Sequence, residues 1–160
     1  MVQYRLLQKK DFPEIRRVAL ESWCHTYRKI YTAKTITERV AAYYFDPGLI
    51  KAYQSTMRKG AWFCVATFRR KIIGYSHIRK RKGSWELFRI YILPSFHHQG
   101  IGSALVRRGE NFLRSKKARK YLVYPNSRNK SGIRFYQAMG FIQNPSKYQD
   151  STHPCFEKVL

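Results

Sequence analysis

Apolar residues recur along the chain at two spacings, one typical of helices and one typical of strands. Ile15, Val18, Ala19 and Trp23 follow the three-to-four-residue period of a helix, whereas residues 61–68 form a short apolar run bounded by polar turns. Runs of the second kind predict strands. The predicted strands lie at residues 3–7, 61–68, 72–78, 85–93 and 120–124, around Phe141, and at 156–160.

Capping signals mark where the predicted helices begin. Asp11 with Glu14 three residues later predicts a first helix that runs to about residue 26, and Thr35 with Glu38 predicts a second. Further helices are predicted from a cap at Asp46-Pro47 to before Gly60, over residues 102–116, and over residues 129–139 with Asn129 as N-cap and Gly140 as C-cap.

This order of elements predicts a single α+β domain over residues 1–160, layered α/β/α. We expect a mixed, mostly antiparallel sheet of six to seven strands, with helices on both faces. The strands between residues 61 and 93 read as a meander of consecutive hairpins.

A glycine-rich turn after the apolar strand at 85–93 carries the clearest chemical signal. Gly100 and Gly102 stand where the strand ends and a helix begins, so the helix N–H groups can approach an anion closely. A Rossmann fingerprint would add a third glycine and a later acid, and a Walker loop would add a lysine at the helix start; neither is present. The turn therefore reads either as a phosphate cradle for a nucleotide-bearing cofactor or as a tight connection.

The composition is compatible with several kinds of anionic partner and does not distinguish between them. The formal charge is +23 in 160 residues, which attracts coenzyme phosphates, nucleic acid or anionic surfaces alike. Three scattered cysteines predict buried thiols in a reducing compartment, and no apolar run approaches the ~20 residues that span a bilayer. We expect a cytoplasmic protein, without membrane association, that is a monomer or homodimer.

Two motifs resemble those of the GNAT superfamily of acetyl-coenzyme A-dependent N-acetyltransferases. Its cradle, Gln/Arg-x-x-Gly-x-Gly/Ala, is similar to the run from His97 to Gly102, with histidine at the first position. Its Asn-x-x-Ala-x-x-x-Tyr motif is similar to the run from Asn129 to Tyr136, with Gly132 in place of alanine, and Gly140-Phe141 follows. Segments around Trp85 and Trp23 are also similar to the PaiA-like branch, which includes polyamine N-acetyltransferases.

The resemblance implies acetyl-coenzyme A as the cofactor and a splayed pair of central strands, residues 87–93 and 121–124, beside which the pantetheine arm lies. The implied cofactor-binding residues are Ile92, Leu93, His97, His98, Gln99, Gly100, Ile101, Gly102, Ser103, Asn129 and Tyr136.

Two residues are implied to carry catalysis. Glu86 is the acid expected to take a proton from the acceptor amine, although an ion pair with a nearby arginine or lysine explains it equally well. Tyr136 is the expected proton donor to the leaving thiolate, with core packing as the alternative. A backbone N–H near Ile92 is expected to hold the acetyl oxygen.

The acceptor is expected to be a primary amine such as a polyamine, contacted by Glu21, Trp23 and Tyr27, with Glu38 as a further local acid. A chain of charge +23 repels a polycation, so peptide and antibiotic amines stay open. A different class of function is an acetyl-coenzyme A-binding module with weak or no catalysis that binds nucleic acid or protein. The spacing of the histidines does not predict a zinc site.

Overall fold

The computed structural model describes residues 1–44, 53–55 and 57–160, and within them the chain forms one sheet covered by helices. Its strands are β1 Gln3–Leu6, β2 Trp62–Phe68, β3 Lys71–Arg81, β4 Ser84–Ile92, β5 Lys120–Val123, β6 Ile142–Asp150 and β7 His153–Val159. Its main helices are α1 Phe12–Tyr27, α2 Ala33–Tyr44, α3 Ile101–Ser115 and α4 Lys130–Ala138. Residues 53–55 and 57–58 are also helical, whereas the predicted cap at Asp46-Pro47 lies outside the described residues.

The sheet has seven strands in the order β1-β2-β3-β4-β5-β7-β6. Its one parallel pair in the described chain is β4 with β5, and the other neighbours are antiparallel. The predicted mixed sheet is confirmed. The β2–β3 turn places Arg69 and Arg70 at φ of 47° and 66°, a left-handed geometry for which asparagine and glycine are the usual residues.

Helices cover both faces of this sheet, as predicted. Adjacent residues of a strand point to opposite faces, and β2 shows this directly. Trp62 stacks on Phe112 of α3, with ring centroids 6.0 Å apart, while Phe63 stacks on Tyr75 at 5.2 Å in the core that includes Ile15 of α1. Thus α3 packs on one face and α1 on the other.

Two predicted helix caps differ from those observed. The Asp11 carboxylate accepts from the Gln8 N–H at 2.7 Å and pairs with Arg5 at 2.6 Å, so it closes the short turn before α1 and does not cap the helix. The second helix begins two residues before Thr35, because Thr32 accepts the Thr35 N–H at 3.2 Å. Asp11 thus holds the predicted N-cap position of α1 without making the capping bond. The predicted start of the second helix at Thr35 was wrong, because Thr32 lies one turn upstream and accepts the Thr35 N–H.

A buried glutamate, Glu110, connects α3 to strands β5 and β7 of the sheet. Glu110 of α3 accepts a hydrogen bond from Tyr121 of β5 at 2.8 Å and pairs with Lys158 of β7 at 2.5 Å. Removing Lys158 would leave the buried carboxylate without its nearest cation, and removing Tyr121 would leave it without a hydrogen-bond donor. This contact holds β5 and β7 at a set position under α3.

The prediction that the cysteines are buried is confirmed for two of the three. Cys64 and Cys155 are buried, and burial raises the pKa of the Cys64 thiol to about 11. Cys24 is exposed on α1, so the expectation that all three thiols are buried was wrong.

The core also contains an uncharged histidine. His77 of β3 is 3% exposed, packs against the rings of Phe63 and Phe88, and neither ring nitrogen has a hydrogen-bond partner in the described structure. Burial, followed by the charges of Arg89 and Arg79, lowers the pKa of His77 to about 3. Between pH 3 and pH 6.5 such a group is therefore neutral in the folded chain and protonated in the unfolded chain.

This histidine predicts a loss of stability in acid. Between pH 6.5 and 3 the unfolded chain binds a proton at residue 77 that the folded chain does not, so stability is present above this window and is lost as pH falls through it. We expect His77→Phe to remove a slope of up to about 1.4 kcal/mol per pH unit, measured by denaturant unfolding at pH 7 and pH 4.5. His98→Asn, at an exposed position, is the control. An unchanged pH slope in His77→Phe would contradict this assignment.

Candidate active site

The strands β4 and β5 are neighbours that separate almost at once. In the described chain their single pair of opposed residues is Glu86 with Leu122, after which β4 runs on to its end without facing β5. This divergence, called the strand gap below, exposes strand edge to an extended ligand. It confirms the predicted splay of the two central strands.

A bulge in β4 accompanies the gap. His77 of β3 pairs with Arg89 whereas Ile78 pairs with Leu87, so Phe88 has no opposite residue. A bulge of this kind bends its strand and increases the local twist. The part of β4 beyond Phe88 is thereby redirected relative to β5.

The turn after β4 presents unpaired backbone donors. Gly100 has a φ of 75°, and the first backbone hydrogen bond of α3 runs from the Ala104 N–H to the Gly100 carbonyl at 2.9 Å. In the described chain the N–H groups of Ile101, Gly102 and Ser103 have no acceptor. These donors and the positive end of the helix suit an anionic ligand such as a phosphate.

The two glycines of the turn are needed for different reasons. A Cβ at Gly100 would meet no atom within 4 Å, so the positive φ is what favours glycine there. A Cβ at Gly102 would lie 3.2 Å from the ring of Phe135 on α4, so this glycine lets α4 pack against the start of α3.

His97 joins the end of β4 to α1. Its Nε2 lies 2.9 Å from the carbonyl oxygen of Ile92, which also accepts the Ser22 hydroxyl at 3.1 Å, and its ring meets His25 edge-on at 5.4 Å. The side chain is therefore engaged on the α1 side of the sheet. The remaining predicted residues nearby are Leu93, whose N–H donates to Ile73, exposed His98 at a φ of 59°, and Gln99, whose amide donates to Ser95.

Three tyrosines, Tyr27 of α1, Tyr91 of β4 and Tyr136 of α4, come together where β4 ends. Burial raises the pKa of Tyr136, and the neighbouring hydroxyls of Tyr91 and Tyr27 raise it further. Trp23 donates its indole N–H to the Tyr91 hydroxyl at 3.0 Å and packs on Tyr27 at 4.7 Å. The structure thus brings together Trp23, Tyr27 and Tyr136, which the sequence analysis singled out, and adds Tyr91, which it missed.

Asn129 connects this tyrosine group to α4. Its side chain accepts the Gly132 N–H at 3.0 Å, which confirms the predicted N-cap, and it hydrogen bonds with Tyr27. A Cβ at Gly132 would lie 2.6 Å from the Asn129 amide nitrogen. Glycine in place of the expected alanine leaves room for this orientation of the cap.

Glu86 is buried and ion-paired. It is 3% exposed, and its carboxylate lies 2.9 Å from the Arg81 Nε and 3.4 Å from the Arg79 Nε. Tyr91 lies five positions further along β4, and five steps of an extended strand cover about 16 Å. The structure therefore places the two predicted catalytic residues, Glu86 and Tyr136, at different points along the strand gap.

The acids predicted near the acceptor lie on exposed helix surfaces. Glu21 of α1 pairs with Arg17 at 3.2 Å, and Glu38 of α2 lies 3.9 Å from Lys34. Exposed pairs of this kind contribute little to stability. The contact of Glu21 with an acceptor stays a prediction.

A family model described as an acetyltransferase (GNAT) domain matches residues 59–143, just over half of the chain. The chain belongs to the GNAT acetyltransferases. It is therefore an acyltransferase, and the matched segment includes β4, the glycine turn and α4.

Individual GNAT proteins extend the match to nearly the whole chain. The spermidine N(1)-acetyltransferase of Thermoplasma acidophilum is 27% identical over 141 residues, covering 88% of this chain and 88% of that protein. The crystal structure of PaiA N-acetyltransferase from the same organism, in complex with coenzyme A, has a TM-score of 0.91 at 25% identity and covers 100% of this chain and 99% of that one. A GNAT acetyltransferase from Staphylococcus aureus shares the fold, with a TM-score of 0.78 at 14% identity over 100% of this chain and 99% of that one.

The described part of the chain holds neither a cluster of metal ligands nor a membrane-spanning helix. Over residues 1–44, 53–55 and 57–160, no three His, Cys, Asp or Glu side chains cluster as a metal site would require. Within the same ranges no helix has the length and apolar character needed to cross a bilayer.

Proposed function

We propose that this protein transfers the acetyl group of acetyl-coenzyme A directly to a primary amine. The observation that carries the proposal is the strand gap beside β4 followed at once by the unpaired N–H groups of α3, in a chain of the GNAT family. Bound coenzyme A in the PaiA crystal structure supports this donor. The donor supplies the activated acetyl thioester.

The residues present fit such a donor. The N–H groups of Ile101, Gly102 and Ser103 would hold the pyrophosphate through the backbone, so the loss of glutamine or arginine at His97 is tolerable. The exposed edge of β4 would pair with the pantetheine amides. A backbone N–H near Ile92 would polarise the acetyl oxygen.

Tyr136 would act as the general acid. Its raised pKa keeps the phenol neutral at pH 7, so the hydroxyl retains a proton to donate to the sulphur as the carbon–sulphur bond breaks. Its neighbours Tyr91 and Tyr27 hold it where β4 ends.

Glu86 would accept the proton that the amine loses on attack, directly or through water. Its burial beside the last paired position of β4 and β5 places it at the opening of the gap, and its hydrogen bonds with Arg79 and Arg81 orient the carboxylate. An amine must be neutral to attack, so the reaction requires a proton acceptor within reach of the amine, directly or through water.

Removal of the Tyr136 hydroxyl should slow turnover. We expect Tyr136→Phe to lower kcat by about 10²-fold or more with little change in the KM for acetyl-coenzyme A, because the thiolate then leaves without a proton donor. Thiol release with a panel of amines measures this. Tyr43→Phe removes a hydroxyl from a residue that is 49% exposed and should leave kcat unchanged; equal effects of the two substitutions would contradict the role of Tyr136.

The role of Glu86 has a signature in the pH profile. We expect Glu86→Gln to reduce kcat/KM strongly at pH 7 and to recover towards wild type as pH rises, because at high pH the amine is neutral without help. A loss of activity that is the same at every pH would identify Glu86 as a structural ion-pair partner only.

The alternative function is a binding module without catalysis, and the same assays distinguish it from an acetyltransferase. Tight binding of acetyl-coenzyme A with no thiol release for any amine would favour it. Steeply salt-dependent binding of RNA or DNA would then name nucleic acid as the partner of this basic chain.

A further inference from the structure

A pocket of about 240 Å³ opens where β4 and β5 separate. Glu86 and Leu122, the last paired residues of the two strands, both line it, and Tyr124 at the end of β5 forms one wall. The full lining in the described chain is Arg81, Lys82, Ser84, Glu86, Leu122, Tyr124 and Lys147. This volume is below the ~300–1,000 Å³ of sites for drug-sized ligands, so it suits a small metabolite or a single side chain.

The pocket lies on the sheet face that α1 covers. Its residue Glu86 pairs with Arg79, whose guanidinium lies 3.2 Å from the ring centre of Phe88, and Phe88 packs on His77. His77 in turn packs on Phe63, which faces the α1 core. The α3 face, where the glycine turn leads, is the opposite one. The pocket and the glycine turn therefore approach the strand gap from different directions.

The charge of the pocket is positive. Three cations, Arg81, Lys82 and Lys147, surround a single acid, and that acid is shared between Arg81 and Arg79. In the described chain neither Lys82 nor Lys147 forms an ion pair with a carboxylate.

One acid outside the lining interacts with Lys147. Glu157 of β7 receives the Lys120 ammonium at 3.2 Å and the Asn144 amide at 3.3 Å. The hydrogen bonds from Asn144 and Lys120 lower the pKa of Glu157, and the charge of Lys147 lowers it further. Glu21 and Glu38, on α1 and α2, are not part of the lining. Within the described lining itself, Glu86 is the single carboxylate against three cations.

From this charge we infer that the acceptor is a primary amine that also carries an anionic group, which Lys82 and Lys147 hold while the amine extends past Glu86 into the strand gap. The inference rests on the proposed acetyl transfer and narrows its substrate class. A polyamine would bring further positive charge against three cations at short range, whereas a carboxylate or phosphate would pair with Lys82 and Lys147.

The same field assists the reaction. Nearby like charges disfavour the protonated form of an amine, so a cationic pocket increases the neutral fraction that can attack. The positive charge would thus bind the anionic group of the acceptor and also favour the neutral, reactive form of its amine. The spermidine named for the Thermoplasma acidophilum relative is the contrasting acceptor class.

Matched acceptors that differ in one carboxylate test the inference. L-Lysine and cadaverine carry the same two amines, and only lysine has the acid. With acetyl-coenzyme A held at saturation, we expect kcat/KM for lysine to exceed that for cadaverine about tenfold or more, and Lys147→Gln to remove most of this preference through KM. Lys9→Gln, exposed beside the edge strand β1 at the opposite side of the sheet, is the control and should keep the preference.

Two further arms sharpen the result. O-Phosphoethanolamine against ethanolamine asks whether a phosphate replaces the carboxylate, and Lys147→Glu should reverse the preference towards cadaverine. Calorimetric titration of lysine and cadaverine into the protein saturated with coenzyme A measures the same preference without turnover. Higher salt should weaken it in both assays.

The outcomes separate this inference from the proposed function. Turnover of cadaverine or spermidine equal to or faster than that of lysine overturns the anionic acceptor and leaves the acetyltransferase intact. Absence of thiol release with every amine contradicts the proposed function, and the titration then decides the pocket: equal affinity for lysine and cadaverine overturns its assignment to anionic ligands.

Discussion

The strand gap depends on β4 and β5 being held mainly by their outer neighbours, β3 and β7. In the described residues a single opposed pair, Glu86 with Leu122, joins β4 to β5. On one side a Cβ at Gly74 of β3 would lie 2.9 Å from the Tyr91 carbonyl, so glycine lets β3 approach the end of β4 closely. On the other side Glu110 holds β5 against α3.

The two ends of the strand gap carry different chemical groups, and each end serves a different part of the proposed reaction. At the end of β4 the unpaired N–H groups of α3 and the tyrosine group provide donors for an anion and for a leaving thiolate. At its beginning a buried carboxylate among arginines and lysines faces the opposite side of the sheet. In the proposed reaction a donor and an acceptor enter from opposite faces, and direct transfer requires that they meet inside the gap, between its two ends.

Local patterns in the sequence predicted the elements well, since period, glycine and capping signals act over a few residues. The order of elements along the chain, the glycine turn before α3 and the Asn129 cap follow from such signals. The pairing of Glu86 with two arginines and the position of Tyr91 beside Tyr136 depend on the register of β3 with β4, which a bulge shifts. No pattern within one strand encodes that register. The exposed position of Cys24 was missed because cysteine is usually a buried residue, whereas Cys24 lies off the buried face of α1. The cap at Thr32 was missed because it lies in the turn before α2.

The central claim is that the start of α3 and the strand gap bind coenzyme A. Titration of the ¹⁵N-labelled protein with coenzyme A, followed by amide chemical shifts, tests it most directly, with inorganic pyrophosphate as a reference for binding by charge alone. The account predicts large, saturable shifts at Gly100, Ile101, Gly102 and Ser103 and along the end of β4, the latter with coenzyme A only. Shifts spread over the basic surface, with these amides unmoved, would contradict it.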